Sequence, residues 1–258
     1  MAGERAPRIL MTADTVGGVW TYAVELARAL DARGVHVAIA TMGAPVSAHQ
    51  RAELAGTRWV TLFDSAWRLE WMQDSAEDVA AAGDWLLALE RMFHPDLVHL
   101  NQYAFGALPF RAPTLMVAHS CVLSWWRAVY GAGAPKEWNA YRRMVRAGLA
   151  GAGLVAAPSG AMLKSLAVNH GYDRPGLVLG NTANPQLFAP GRKQHVILAA
   201  GRFWDAAKNL KALEQVAPAL DWPVHLAGAA RQPDGGTVVP TGVHFLGELP
   251  RQALARQL

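Results

Sequence analysis

Residues 8–30 read RILMTADTVGGVWTYAVELARAL, and three kinds of order follow one another within them. Arg8–Ala13 is a short apolar run suited to a buried strand. Asp14–Gly18 has the composition of a turn. Beyond it, Val19, Ala23, Leu26, Ala27 and Leu30 recur at the spacing of one helix face. Gly34 is placed to end that helix in a left-handed conformation, and Val35–Thr41 (VHVAIAT) is the next strand.

The same alternation continues along the chain. Arg58–Phe63, Asp96–Leu100, Thr114–Ala118 and Leu154–Ala157 read as strands. Ala76–Phe93, Glu137–Ala150 and Ser159–Asn169 read as helices, the last with Ser159 as its N-cap. Repeated strand–helix–strand order predicts an α/β fold, a parallel sheet with helices on both faces. At Gly180–Lys193 (GNTANPQLFAPGRK) two Pro, two Gly and two Asn interrupt the pattern, as in a linker. It then restarts. His195–Ala200, Pro223–Ala227 and Val243–Leu246 are strands, Asp234–Gly236 is a turn, and Lys208–Leu220 and Pro250–Leu258 are helices. Two Rossmann-like domains are expected, residues 1–189 and 190–258, the second holding about half of an open sheet. Built in sequence order, that half-sheet places its first strand at an edge.

Composition narrows the function classes. With 258 residues, 52% hydrophobic and 17% charged, the chain buries a substantial core, which excludes disorder. Lys and Arg exceed Asp and Glu by four, scattered and without the run that marks a nucleic-acid arm, so no nucleic-acid partner is expected. A mild positive balance suits a phosphate-bearing small molecule. Cys121 is the single cysteine, which precludes an internal disulfide and fits a reducing cytoplasm. The stretch from Met1 to Pro7 lacks the apolar core of a signal peptide, and no run reaches the length of a membrane span.

Arg202 and Lys208 stand in AAGRFWDAAKNL, in the turn that follows a strand and opens a helix. Ligands of open parallel sheets bind at the carboxyl ends of strands. An Arg fork and a Lys charge there suit a diphosphate; they equally suit a solvated loop. Gly17 and Gly18 would let an anion approach backbone N–H groups, or they form only a tight turn. His119 directly follows a strand, either as a hydrogen-bonding contact to substrate or as a satisfied core side chain. A nucleophilic pair of His119 with Cys121 needs a facing geometry that sequence neighbours seldom have. Trp125, Trp126, Tyr130 and Trp138 crowd the following segment, where exposed rings could stack on sugars or complete the core. His94 and His99 flank a strand without metal-ligand spacing, so no metal is expected. Neither a nucleophile elbow nor a dinucleotide fingerprint is present.

Taken in order, these segments resemble the retaining glycosyltransferases of family four, which have the GT-B fold of two facing Rossmann-like domains. The resemblance is carried by TADTVGGVWTYAVELARAL, HPDLVHL, LMVAHS, LVAAPSGAML, GNTANPQLFAP, ILAAGRFWDAAKNL and VHFLGEL. At the hinge, Thr182 and Asn184 replace the family's usual Gly and Asp. The resemblance implies a hexosyltransferase whose donor is a nucleotide-diphosphate sugar held in an interdomain cleft. Its diphosphate would lie on Arg202 and Lys208, with Gly17 and Gly18 near the phosphates or acceptor and His119 on the sugar or acceptor. The acceptor would be a carbohydrate or small molecule, and peripheral membrane contact is compatible with this. The family needs no further cofactor, and its retention is attributed to front-face attack. The family pattern continues with a Glu-x7-Glu segment beyond the position of Leu258, which implies an incomplete second domain here. A non-catalytic sugar-binding module is the rival reading; a nucleotide-sugar epimerase fits the Gly-Gly turn and Arg-x5-Lys spacing less well.

Overall fold

The structure is a computed structural model that describes residues 5–232 and 235–258. The chain forms two compact units, Met1–Thr182 and Ala183–Leu258, and the division lies inside the Pro/Gly/Asn-rich stretch that begins at Gly180.

The first unit contains, in chain order, β1 (Arg8–Asp14), α1 (Gly18–Asp31), β2 (His36–Met42), α2 (Ala48–Glu53), β3 (Val60–Phe63), α3 (Ala76–Phe93), β4 (Leu97–Leu100), β5 (Thr114–Val117), α4 (Val122–Tyr130), α5 (Asn139–Gly151), β6 (Leu154–Ala157), α6 (Gly160–His170) and β7 (Gly176–Val178). All strand pairs are parallel, in the order β3-β2-β1-β4-β5-β6-β7. This is the doubly wound order, in which the chain reverses direction of growth at β1 and β4. Ser159 caps α6 as expected, its side chain accepting from the Met162 N–H at 3.2 Å.

Alternation along each strand feeds two cores. Leu10, Ala38, Val98, Leu100, Met116 and Val155 face the layer containing α3 and α5. Met11, Ala13, Val37 and Ile39 face α1 through Ala23 and Ala27. Successive side chains point to opposite faces, so a strand segment buried on both sides is apolar on both, as Ile9-Leu10-Met11 is.

Three elements escaped the sequence reading. Helix α2 has no buried residue; it is held by a capping box in which Ser47 and Gln50 exchange side-chain bonds with each other's backbone. Strand β7 is three residues beside Pro175, too short to show a period. Residues Val122–Tyr130, to which the sequence assigned no element, form helix α4, capped by Cys121 through a Ser124 N–H bond at 3.3 Å.

The second unit contains β8 (Ile197–Ala200), α7 (Leu210–Val216), β9 (Val224–Ala227), β10 (His244–Gly247) and α8 (Arg251–Gln257). Its parallel sheet has the order β10-β9-β8, which leaves β8 at an edge. Phe203, Leu210, Val224 and Leu226 form its core. The helix expected over Lys208–Leu220 is shorter. Lys208 ends a single helical turn, Ala206–Lys208, and Asn209 at φ 47° separates it from α7. At the other end Pro218 lies in a tighter turn, Ala217–Ala219. The turn expected at Asp234–Gly236 includes Asp234, which lies outside the described residues.

One close approach fixes the loop after β4. A Cβ added to Gly148 of α5 would lie 1.7 Å from the Tyr103 carbonyl oxygen. Backbone cannot yield as a side-chain end can, so Gly148→Ala is expected to lower the unfolding free energy by about 3 kcal/mol, measured by urea denaturation. A loss within about 0.5 kcal/mol would show that helix and loop separate freely.

Candidate functional site

The carboxyl ends of β1, β4 and β5 carry a connected polar cluster. Beyond the Met11–His99 register pair of β1 and β4, side-chain bonds continue the pairing. The Asn101 N–H donates to Thr12 Oγ1 at 2.9 Å, and Asn101 Nδ2 donates to the Thr12 carbonyl at 2.6 Å. Asn101 Oδ1 lies 2.8 Å from His119 Nε2. Tyr22 of α1 completes the group. Its hydroxyl is 3.4 Å from His99 Nε2 and its ring meets His119 edge-on at 4.6 Å. His119 is half-buried, whereas Thr12, His99 and Asn101 are buried.

Burial sets the charge of this cluster. It pushes His119 down to about 4. His99 also falls to about 4, through burial first and the His119 charge second, with its Asn101 hydrogen bond acting weakly the other way. Both rings are therefore neutral near pH 7. Behind them, Glu70 accepts the Tyr103 N–H at 3.0 Å and the Ala104 N–H at 2.6 Å, holding the loop after Asn101. Burial raises Glu70 to about 7; the two backbone N–H bonds oppose this and Asp14 adds to it.

Gly17 and Gly18 lie between β1 and α1, and their situations differ. Gly17 has φ 103°, a conformation that favours glycine on its own account. A Cβ on Gly18 would meet nothing within 4 Å. Cys121 does not face His119. Its sulfur is 3.4 Å from His170 Nε2 and 2.8 Å from Ser124 Oγ. Burial raises the thiol and lowers His170 to about 4, so the pair stays neutral and is not an activated nucleophile. Trp125, Trp126 and Tyr130 cluster on α4 with ring centroids 4.9–5.8 Å apart; Trp138 instead packs against Tyr141 and the core. Among the described residues no three His, Cys, Asp or Glu are grouped as metal ligands, and no helix is long and apolar enough to cross a membrane.

In the second unit Arg202 and Lys208 share the turn at the carboxyl end of β8. Buried Asp205 holds Arg202 Nη2 at 3.2 Å and accepts the Ala207 N–H at 3.0 Å through its other oxygen. The guanidinium also lies over Trp204, 5.1 Å from the ring centroid. The Lys208 stem passes over Gly201, where an added Cβ would meet Lys208 Cδ at 3.1 Å.

The sequence model for Glycosyltransferase Family 4 matches residues 16–186, from the glycine turn to the linker. The chain belongs to this family. No curated protein matches it. Among solved structures, sucrose-phosphate synthase from Thermosynechococcus elongatus is similar over 97% of this chain and 72% of its own, with 17% identity and a TM-score of 0.72. A glycosyltransferase from Rickettsia africae is similar over 97% and 70%, with 15% identity and a TM-score of 0.60. The LpCGTa structure in complex with UDP is similar over 86% and 66%, with 15% identity and a TM-score of 0.58. These likenesses agree with the GT-B fold.

Thr12, Asn101, Gln102 and Glu70 were not singled out from the sequence. Gln102 is buried, and neither of its amide atoms has a partner. A polar run directly after an apolar strand, as in LVHLNQY, is the signal that points to such an edge.

The buried groups of this family 4 chain make its stability depend on pH. Between about pH 4.5 and 6.5 the unfolded chain binds protons at His99, His119 and His170 that the folded chain does not, while the folded chain retains one at Glu70. The unfolded state thus binds more protons, and stability falls on acidification, on the order of 2 kcal/mol per pH unit from these groups. Denaturant unfolding at half-unit pH steps checks this. A flat profile from pH 6.5 to 4.5 would show that these histidines are not buried neutral.

Proposed function

We propose that the chain takes part in retaining, metal-independent transfer of a sugar from a nucleotide-diphosphate sugar to a carbohydrate or small-molecule acceptor. The observation that carries this reading is the turn after β8. It pairs an Arg fork, oriented by buried Asp205, with a Lys whose stem rests on Gly201. Asp205 takes one of the five N–H groups of the fork, so a diphosphate finds further donors there. The UDP of the LpCGTa structure suggests the class of nucleotide. A single cysteine and a soluble activated sugar fit the cytoplasm.

The chemistry is consistent with two fixed cations. As the C1–O bond to the leaving phosphate breaks, negative charge grows on the phosphate oxygens. Arg202 and Lys208 aimed there stabilise the transition state more than the ground state. In front-face attack the acceptor oxygen bonds to C1 and its proton passes to the leaving phosphate, so no separate carboxylate base is needed. His119 and the Gly17-Gly18 turn are assigned to the sugar, phosphates or acceptor.

Arg202→Ala or Lys208→Ala is expected to weaken UDP binding by ~1.5–3 kcal/mol, measured by calorimetry. Unchanged affinity in both variants would remove the diphosphate from this turn. UDP binding without sugar transfer to any acceptor would favour the non-catalytic module.

Gly18→Ala separates fold from function. Its Cβ meets nothing, and alanine favours helix, so thermal stability should be unchanged or slightly raised. If substrate approaches the Gly18 backbone, transfer should fall at least tenfold. Full activity in the alanine variant would make Gly18 a helix residue only.

A further inference from the structure

Asn101 has one permitted orientation. Its amide atom 2.6 Å from the Thr12 carbonyl must be the nitrogen, because a carbonyl oxygen has no proton to donate. The atom 2.8 Å from His119 Nε2 is then Oδ1, which is an acceptor. Nε2 must carry the proton in that bond. A neutral imidazole has one N–H, so Nδ1 is left bare. No hydrogen bond from the described residues reaches Nδ1, and it is absent from the buried unpartnered atoms of this half-buried residue. It is therefore open to solvent and to a ligand.

We propose that Asn101 is a positioning residue that locks His119 in its Nε2–H form, so that Nδ1 is a fixed acceptor for a hydroxyl group of the bound sugar. The proposal rests on the assignment of His119 to substrate made above. The Thr12 backbone sets Asn101, and Thr12 is fully buried in β1, an interior strand, so the lock is tied to the interior of the sheet. Tyr22 and His99 are the other titratable side chains against His119. Neither lies within hydrogen-bond distance of His119 Nε2; the Tyr22 hydroxyl is turned to His99 instead.

The test is nitrogen-15 NMR of the 258-residue chain labelled at histidine, where long-range couplings distinguish a protonated ring nitrogen from a bare one. Wild-type His119 is expected as a single species protonated at Nε2. Asn101→Leu removes the acceptor and should give a mixture in which the Nδ1–H form is detectable. Asn101→Ala removes the acceptor with a smaller side chain and should give the same mixture. A wild-type ring protonated at Nδ1, or a homogeneous Nε2–H ring in the leucine variant, overturns the lock. The wild-type and alanine spectra support or overturn it even if the leucine variant does not fold.

UDP-glucose is then added, with UDP as control. The His119 Nδ1 resonance is expected to shift toward the hydrogen-bonded range with UDP-glucose and to stay in place with UDP. Binding of UDP-glucose with no Nδ1 shift overturns the acceptor role of Nδ1. If neither UDP nor UDP-glucose binds, the donor reading fails and the Nδ1–sugar contact falls with it, while the Asn101 spectra still judge the lock.

Discussion

Strand β1 has a parallel neighbour on each side, β2 and β4, and the polar edge of the first unit depends on that pairing. A strand bonded on both sides and packed on both faces has nowhere to place an unsatisfied group. Its carboxyl end must therefore pass its hydrogen bonds to something else. Thr12 does so through Asn101, by two bonds to one residue. Register, burial and chemistry meet at this point: shifting β4 by one residue would take Asn101 off Thr12 and His119 off Asn101. The loop beyond is held just as firmly, by Glu70 on the Tyr103 and Ala104 N–H groups and by Gly148 against the Tyr103 carbonyl.

Burial also decides which charges the edge can carry. A solvated histidine carries positive charge below about pH 6.5. Here His99 and His119 are held neutral by desolvation, which suits recognition of hydroxyl groups better than of phosphates. In the second unit, by contrast, Arg202 is anchored by Asp205 and Lys208 is exposed. The two units thus offer different chemistries, neutral hydrogen bonding in one and fixed cations in the other.

Much of the fold was legible because it rests on periodicity. Ile9, Leu10, Met11 and Ala13 form an apolar run since both faces of β1 are covered, and Ala76–Phe93 shows a helical period over five turns, so its boundaries could be read to the residue. Elements held by other means were not visible. Helix α2 has no buried face and depends on its Ser47–Gln50 capping box. Helix α4 was assigned no element, and its cap is a cysteine. The helix after Lys208 was overextended because nothing in KNLKALEQVAPAL shows that Asn209 takes a left-handed conformation. Arg202, Lys208 and His119 stood out by residue type at strand ends. Asn101 and Glu70 did not, because their importance lies in partners 89 and 34 residues away.

The pairing of Cys121 with His170 shows how far residue type alone misleads. A thiol 3.4 Å from an imidazole is the arrangement of a catalytic dyad. What makes such a dyad reactive is stabilisation of the thiolate and imidazolium, and here burial, the largest influence on each, acts against both and outweighs the Ser124 and Leu123 hydrogen bonds to the sulfur. Burial raises the thiol and lowers the imidazole, and Arg146 and Arg142 lower the imidazole further. The sulfur serves as the cap of α4, and the Ser124 hydroxyl links that cap to Ser165 of α6 at 2.6 Å. The same physical effect, desolvation, acts on His119. There it yields a different result, because Nδ1 of that ring opens toward solvent whereas His170 Nδ1 is buried without a partner. A neutral histidine becomes useful for recognition only where one nitrogen is tied down and the other can be reached, and among the histidines lowered by burial His119 is the one that meets both conditions.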